Sequence, residues 1–412
     1  MSAVVIGTKL FAVPALTDAA TGSPVRDAHL ALPVGYVLLT PVCNILDALS
    51  VFSGRQHFAF VATIALIYAL WRLVRQKRPA RAHVRCARET LVASLVLLAL
   101  ITLYAGGTML ARPLPRIVMS SPDDIVIDFH SHTSFSWDGR RDFSPEANRL
   151  WHQASGFDAA YITDHGSFEG ALEASRRNPS RAGDGTVLLS GIEVRSDGRH
   201  LDILGTDASN AAAYKGDDLA EGIFLRKVRM ESPVPPVVLL TLPGHLDADK
   251  SAVPIDAVEI SDAAPRGLSQ IDNERATIAG FARAHNAALV AGSNNHGWAS
   301  ASPAWSVMEI AGWRSMTPSQ LDTAIRSTLL SRGPRATRVI ERRPRGPASF
   351  AGIAATVPVA LWQMLITLSW PERLSWLCWI AIGCIVARAV EPVTALLQRN
   401  GLSHGQQKAF SH

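Results

Sequence analysis

The run TLVASLVLLALITLYAGGTMLA, Thr90 to Ala111, contains no charged residue. About 20 consecutive apolar residues cross the hydrocarbon core of a bilayer. Such a run is therefore either a membrane span or a helix buried on all sides. It has company. FAFVATIALIYALWRLV, Phe58 to Val74, is free of charge until Arg72, and Leu30 to Phe52 is as long but holds Pro41 and Asp47. Near the other end lie Phe350 to Trp370 and, after PER, Leu374 to Val390, with tryptophans where interface anchors belong. The 412 residues are 48% hydrophobic and only 18% charged, and mean hydropathy is +0.14. That is too apolar for a purely soluble enzyme and too charged for a chain that is all membrane. The expected organisation is an N-terminal segment 1–29, a three-helix membrane region 30–111, a globular domain 117–343, a two-helix membrane region 350–390 and a tail 391–412. The start, MSAVVIGTKLFAVPAL, lacks a charged region, apolar core and cleavage site in order, so no signal peptide is read there.

The middle of the chain has no long apolar run. DIVIDF, AAYIT, TVLLSGIEV, LDILG, VVLLTL, AVEI and ALVAGS each read as a buried strand bounded by turn residues. SPEANRLWHQASG opens with Ser144 as N-cap and Pro145 at the first helical position. Thr317 and Pro318 repeat that signal before a helix that stops at Gly333, and SQIDNERATIAGFARAHN is a third helix. Strands alternating with helices predict an α/β domain with a largely parallel sheet, open or closed into a barrel. The four cysteines, Cys43, Cys86, Cys378 and Cys384, all lie outside it. That excludes a disulfide framework, a cysteine nucleophile and a thiolate zinc site in the middle domain.

Eight of the thirteen histidines fall in that domain. His130, His132, His165, His200, His245 and His296 sit at or near strand ends, and Glu193 lies within GIEV. In α/β sheets and barrels the C-terminal strand ends converge on one face, where active sites gather. Imidazoles and carboxylates crowded there are costly unless divalent metal ions use their lone pairs and charge. His152 and His285 fall inside expected helices and read as structural.

DFHSHTSFSWDG resembles the first motif of the polymerase-and-histidinol-phosphatase (PHP) family. YITDHG, GIEVRSDGRHLDILG, LPGH and GSNNHG resemble the motifs that follow, in the family's order, over roughly Ile127 to His296. The resemblance implies a distorted β/α barrel of about seven strands, two or three divalent ions (Zn, Mn or Fe), and mostly phosphoester hydrolysis, with carbamate-type ester hydrolysis also known. Carried over, the metal ligands are His130, His132, Asp138, His165, Glu193, His200, His245 and His296, with Asp128 and Asp164 orienting the imidazoles. Two departures stand out. Pro243 precedes His245 by two residues, where the family has His directly before Pro. Asn294 replaces the aspartate of the last motif; its carbonyl oxygen can meet a metal, but it brings no negative charge.

A divalent ion can lower the pKa of a bound water from 15.7 to about 7, and Arg140 and Arg141, directly after Gly139, are placed to bind a phosphate bidentately. A Gly-x-Ser-x-Gly elbow and a phosphate-binding glycine loop are both missing. The basic residues behind a pI near 9.2 cluster beside the apolar runs, which fits an anionic lipid surface better than nucleic acid. The expectation is a membrane-anchored, metal-dependent phosphoesterase acting on a small molecule. A carbamate or other ester hydrolase, and a metal-bearing receptor without turnover, are the alternatives. Seven basic residues between Arg72 and Arg88 place that loop in the cytoplasm and the catalytic domain outside it. Arg335, Arg338, Arg342, Arg343 and Arg345 argue the other way.

Overall fold

The structure, a computed structural model, describes residues 1–75, 82–196, 198–206, 225–230, 233–241, 246, 254–342 and 350–407. Twelve strands are seen among them: β1 (Leu16–Asp18), β2 (Ala28–Ala31), β3 (Arg116–Met119), β4 (Asp124–Ser131), β5 (Ala159–Ile162), β6 (Val187–Ser196), β7 (Arg199–Leu204), β8 (Val237–Thr241), β9 (Ala257–Asp262), β10 (Ala288–Gly292), β11 (Ala304–Glu309) and β12 (Arg338–Arg342). Ten form one sheet in the order β1-β12-β11-β4-β5-β6-β7-β8-β9-β10, and β2 pairs with β3 separately. The sheet thus has ten strands where about seven were expected, and it is not largely parallel. β4–β5, β5–β6, β8–β9 and β9–β10 are parallel, but β6–β7, β7–β8, β4–β11, β11–β12 and β1–β12 are antiparallel. The turn from β6 to β7 shows why. Only a few residues separate Ser196 from Arg199, and Gly198 takes φ +74. So short a link makes a hairpin and cannot make a crossover. The sheet curls until the loop after β10 returns to β4: His132 N donates to Asn295 O (3.1 Å), and Asn294 N to His130 O (2.8 Å).

Side-chain alternation sets what each face carries. Ile125, Ile127 and Phe129 of β4 enter one apolar cluster with Val237 and Leu239 of β8. Asp128 and His130 take the opposite face of β4. Ile192, Val194, Leu201 and Ile203 of the β6–β7 hairpin fill a second cluster with Val238 and Leu240. Between them Glu193 and Asp202 lie directly opposite each other in register. The helix Pro145–Ser155 is capped by Ser144 Oγ, which accepts from Ala147 N, and ends at Gly156 in the left-handed region. Pro318–Arg332 begins with a full capping box from Thr317 and Gln320.

The expected membrane regions change most. Two helices are long and apolar enough to cross a bilayer, over Gly54–Val74 and Glu89–Met109, and neither window is buried among the described residues. Leu30 to Phe52 is no span. It is broken into β2, a helix Val34–Leu38 and a helix Thr40–Ser50. Pro33 and Pro41 interrupt it, and Asp47 is buried for a reason. Its Oδ2 accepts from Tyr36 (2.7 Å) and Arg342 (2.6 Å), and its Oδ1 from Arg112 (2.8 Å). Phe350 to Trp370 breaks at Ala355 into Phe350–Ala354 and Thr356–Ile366, both too short to span. Leu374 to Val390 lies in the helix Trp370–Gln407, which does not meet the length and apolarity of a span over its described residues. Its first turn is tied inward, with Glu372 and Arg373 both buried.

Candidate metal centre

One carboxylate organises the site. Glu193, on β6, lies 3.3 Å from His130 Nε2, 3.3 Å from His132 Nε2 and 3.2 Å from His165 Nδ1 through its Oε2. Its Oε1 meets His200 Nδ1. His130 and His132 come from β4 and its end, His165 from the loop after β5, and His200 from β7. The two Nε2 atoms of His130 and His132 are 3.0 Å apart. Two imidazole nitrogens aimed at each other and at one carboxylate oxygen cannot all be satisfied by hydrogen bonds among neutral rings.

A second acid joins from the solvent side. Asp138 lies 3.4 Å from His165 Nε2 and 3.2 Å from His296 Nε2, and the His132 and His296 rings stack at 3.9 Å. His296 Nδ1 faces Asn294 O at 3.0 Å, which leaves Nε2 as the nitrogen toward the cluster. The ligand atoms of His130–His132–Glu193, of His165–Glu193–His200 and of His132–His165–His296 each lie within 4.8 Å of one another.

Behind His130 stands an acidic layer that the sequence reading missed. Glu259 Oε1 is 2.8 Å from His130 Nδ1, Asp202 Oδ2 is 3.9 Å from it, and Asp262 closes a further group with His130 and Glu259. A signal existed: LDIL and AVEISD place acids inside strands that are otherwise apolar, and acids are rarely fully buried unless paired. The approach needs Gly292 at the end of β10, where a Cβ would sit 2.1 Å from Glu259 Oε1 and 2.7 Å from His130 Cβ.

The electrostatics follow from this packing. Burial works against a charged His130, but Asp202, Glu259 and Glu193 overcome it and hold the ring's pKa well above its ordinary value. Burial pushes His132 well below. Burial would raise Glu193, yet the hydrogen bonds from His130, His132 and His200 take it well below the usual carboxylate range. Burial lifts Asp202 strongly, and burial with the Glu259 charge lifts Asp262 to about 7. Asp164 rises to about 6 by burial, against the two hydrogen bonds it accepts from Thr133 at 2.6 and 2.7 Å.

Not every expected residue joins the cluster. Asp128 turns away from it: Oδ2 meets His152 Nε2 at 2.7 Å, while Oδ1 accepts from Ser293 N at 2.9 Å. His152, read from sequence as structural, is the partner that fixes Asp128. Arg140 Nε donates to Asp142 at 2.5 Å, and its guanidinium lies over Trp298. Arg141 is exposed; Arg140 touches the ligand set only through its backbone, whose N donates to His296 O at 2.9 Å. Asn294 donates Nδ2 to Asp262 at 3.2 Å, and its buried Oδ1 has no hydrogen-bond partner among the described residues. His245 lies outside the described residues.

The donor set fits divalent ions. Asp202 has both carboxylate oxygens buried without a hydrogen bond among the described residues, as has Asn294 Oδ1. Buried carboxylates in that condition call for a cation, and mixed imidazole and carboxylate donors suit Zn, Mn or Fe.

No family model matches the chain, and no curated protein matches it. Among solved structures it is similar to PsfC from Pseudomonas syringae PB-5123, with 15% identity and a TM-score of 0.39 over 60% of this chain and 100% of that one. It is similar to a two-domain protein from Bacteroides vulgatus containing a predicted PHP-like metal-dependent phosphoesterase, with 15% identity and a TM-score of 0.35 over 52% of this chain and 64% of that one. A third is the lesion-specific endonuclease PfuEndoQ from Pyrococcus furiosus, at 14% identity and a TM-score of 0.34 over 52% and 57% of the two chains.

Proposed function

We propose that this chain is a membrane-anchored, metal-dependent hydrolase of the PHP type that cleaves phosphoesters. The observation that carries the reading is the Glu193 carboxylate contacted by four imidazoles, His130, His132, His165 and His200. His130, His132, His165, Glu193, His200 and His296, with Asp138, would hold two or three ions. Bound ions supply an acidified water as nucleophile and neutralise charge on the phosphoryl oxygens.

The chain's own work is orientation. Glu259 accepts from His130 Nδ1 and so leaves the Nε2 lone pair toward the ions. Asn294 O does the same for His296. Asp164 fixes the turn after His132 through Thr133, and His152 with Ser293 N holds Asp128 beneath His130. Asn148 Nδ2 donates to His132 O at 2.9 Å and pins the end of β4. Arg140 already gives its Nε to Asp142, so a phosphate would meet its Nη1 and Nη2.

The test uses the full chain in detergent. Metal analysis should give two or three ions per chain, and p-nitrophenyl or bis-p-nitrophenyl phosphate should turn over with added Mn or Zn. Replacing His130 and His132 together by Ala should remove at least one ion and all turnover. A protein that binds the ions yet cleaves no phosphoester, carboxylic ester or carbamate would be the receptor that Asn294 in the aspartate's place allows. Full activity in the double variant would end the metal reading itself.

A further inference from the structure

The space that reaches the histidine cluster is not walled by the globular body alone. A cavity of about 430 Å³ has Asp138, Asn294 and His296 on one side and His57, Thr108 and Met109 on the other. The last three belong to the ends of the two apolar helices, Gly54–Arg75 and Ala82–Met109. A neighbouring cavity of about 190 Å³ shares Met109 and Trp298 with it and adds apolar lining from Leu114, Phe143 and Trp151.

The junction is tied by polar bonds. Ser300, in the loop that carries His296, donates Oγ to Thr108 O at 2.6 Å and accepts from Arg112 Nη1 at 2.7 Å. Arg112 also donates to the buried Asp47. The helix end is therefore built into the site wall. Away from that end each helix keeps exposed apolar faces, since none of either apolar window is buried among the described residues, although Phe350–Ala354 and Thr356–Ile366 pack against part of the first. Trp137 and Trp298, 78% and 51% exposed, stand beside the cluster: Trp137 stacks on His165, and Trp298 lines both cavities. Tryptophan favours the level of lipid head groups.

From this juxtaposition we propose that the substrate is a membrane-resident amphiphile, a phosphoester on a long hydrocarbon anchor. The phosphoester sits at the histidine cluster, and the hydrocarbon leaves past Met109 and Trp298 along the bare faces of the two helices. This deepens the phosphoesterase reading above and rests on it. A cavity of this size takes a small head group, so long chains must lie outside it, where the helices are apolar. Every buried methylene adds to the hold that keeps such a molecule in the bilayer. A site placed at the bilayer surface meets it by lateral diffusion without extracting it. The reaction is hydrolysis without redox change. The oxygen of water bonds to phosphorus, the ester P–O bond breaks, and the leaving oxygen of the anchor takes up the proton that water gives up.

The experiment uses the full chain in mixed micelles with Mn, offered dioleoyl phosphatidic acid, glycerol 3-phosphate and the two nitrophenyl phosphates. The expected result is a preference for the dioleoyl ester over glycerol 3-phosphate of at least 100-fold in kcat/KM. The rate should also fall as detergent dilutes the lipid at constant bulk concentration. Met109→Glu should cut that preference ratio at least tenfold. Calorimetry gives a readout without turnover: hexadecylphosphonate should bind the native chain more tightly than ethylphosphonate, and Met109→Glu should shrink the difference. Turnover of nitrophenyl phosphates with no preference for the dioleoyl ester overturns the amphiphile and leaves the phosphoesterase standing. Metal-loaded protein that cleaves none of the probes overturns both.

Discussion

Asn294 sits in the left-handed region at φ +45, a conformation that asparagine tolerates better than most residues. Its backbone and Nδ2 are both engaged, while Oδ1 is left buried and unbonded among the described residues. Replacing it by Asp would set a second carboxylate against Asp262, whose pKa burial and Glu259 already hold near 7. Without metal, Asn294→Asp should destabilise the fold by on the order of 2 kcal/mol, from the lost hydrogen bond and the like charges. With metal the loss should be recovered, so the gap in Tm between metal-free and metal-loaded protein should widen. The same gap and the same ion stoichiometry in both proteins would mean that position 294 faces no ion. The histidines brought together here were legible in the sequence because each lies at or near an end of a strand, and strand ends converge. The acids behind them were not. Asp202, Glu259 and Asp262 lie within or at the end of strands that read as apolar, and only the curl of the sheet brings β7 and β9 behind His130.

At the scale of elements, short apolar stretches bounded by turn residues found the seven strands from β4 to β10, because buried strands need little more than that. β1 escaped because it is three residues long. β11 escaped because AWSVME follows a loop with no helix between. Two of the overread spans share one cause: apolar composition over twenty residues does not register a proline that breaks a helix, whereas Leu374 to Val390 stays in one helix whose first turn carries the buried Glu372 and Arg373. How strands are joined also has a pH signature. Asp158, just before β5, accepts from Val126 N of β4 through Oδ2 at 2.9 Å, and burial raises its pKa from 3.8 to about 6. The folded state then holds this proton more tightly than the unfolded state. The group's contribution to stability is fully present below pH 3.8 and is lost as pH rises to about 6, by up to about 3 kcal/mol. Asp158→Asn keeps an oxygen for Val126 and removes the titration. The difference in unfolding free energy between the two proteins, followed by thermal melts, should move in favour of the Asn variant between pH 4 and 6 and then level off. A difference that stays flat with pH would show that Asp158 titrates normally in the fold.

For the whole molecule the decisive relation is between the two apolar helices and the body they leave. They touch near both ends: Phe60 stacks on Tyr104 at 5.0 Å near one, and Arg72 lies 3.4 Å from Glu89 at the other. The first end is joined to the body through Ser300, Arg112 and Asp47, and His296, Asp138 and Asn294 share a cavity with it. In sequence, the link between the far ends holds the basic run Arg72, Arg75, Lys77, Arg78, Arg81, Arg85 and Arg88. A window of 21 residues rises about 30 Å as a helix, the thickness of the hydrocarbon core. Were both helices to cross a bilayer, the basic run and the candidate metal centre would lie on opposite sides. A short loop dense in Lys and Arg stays cytoplasmic, so we propose that the candidate metal centre faces the extracytoplasmic side. The opposing arginines lose weight because Arg338 and Arg342 belong to β12, where Arg338 pairs with Asp27 and Arg342 with Asp47. Charges spent inside a fold do not serve as topology signals for a loop. Reporter fusions test the placement. A phosphatase reporter joined after Arg116 should be active, and a cytoplasmic reporter should be active in the loop near Lys77. The reverse pattern would turn the molecule over and move its substrate to the cytoplasmic leaflet.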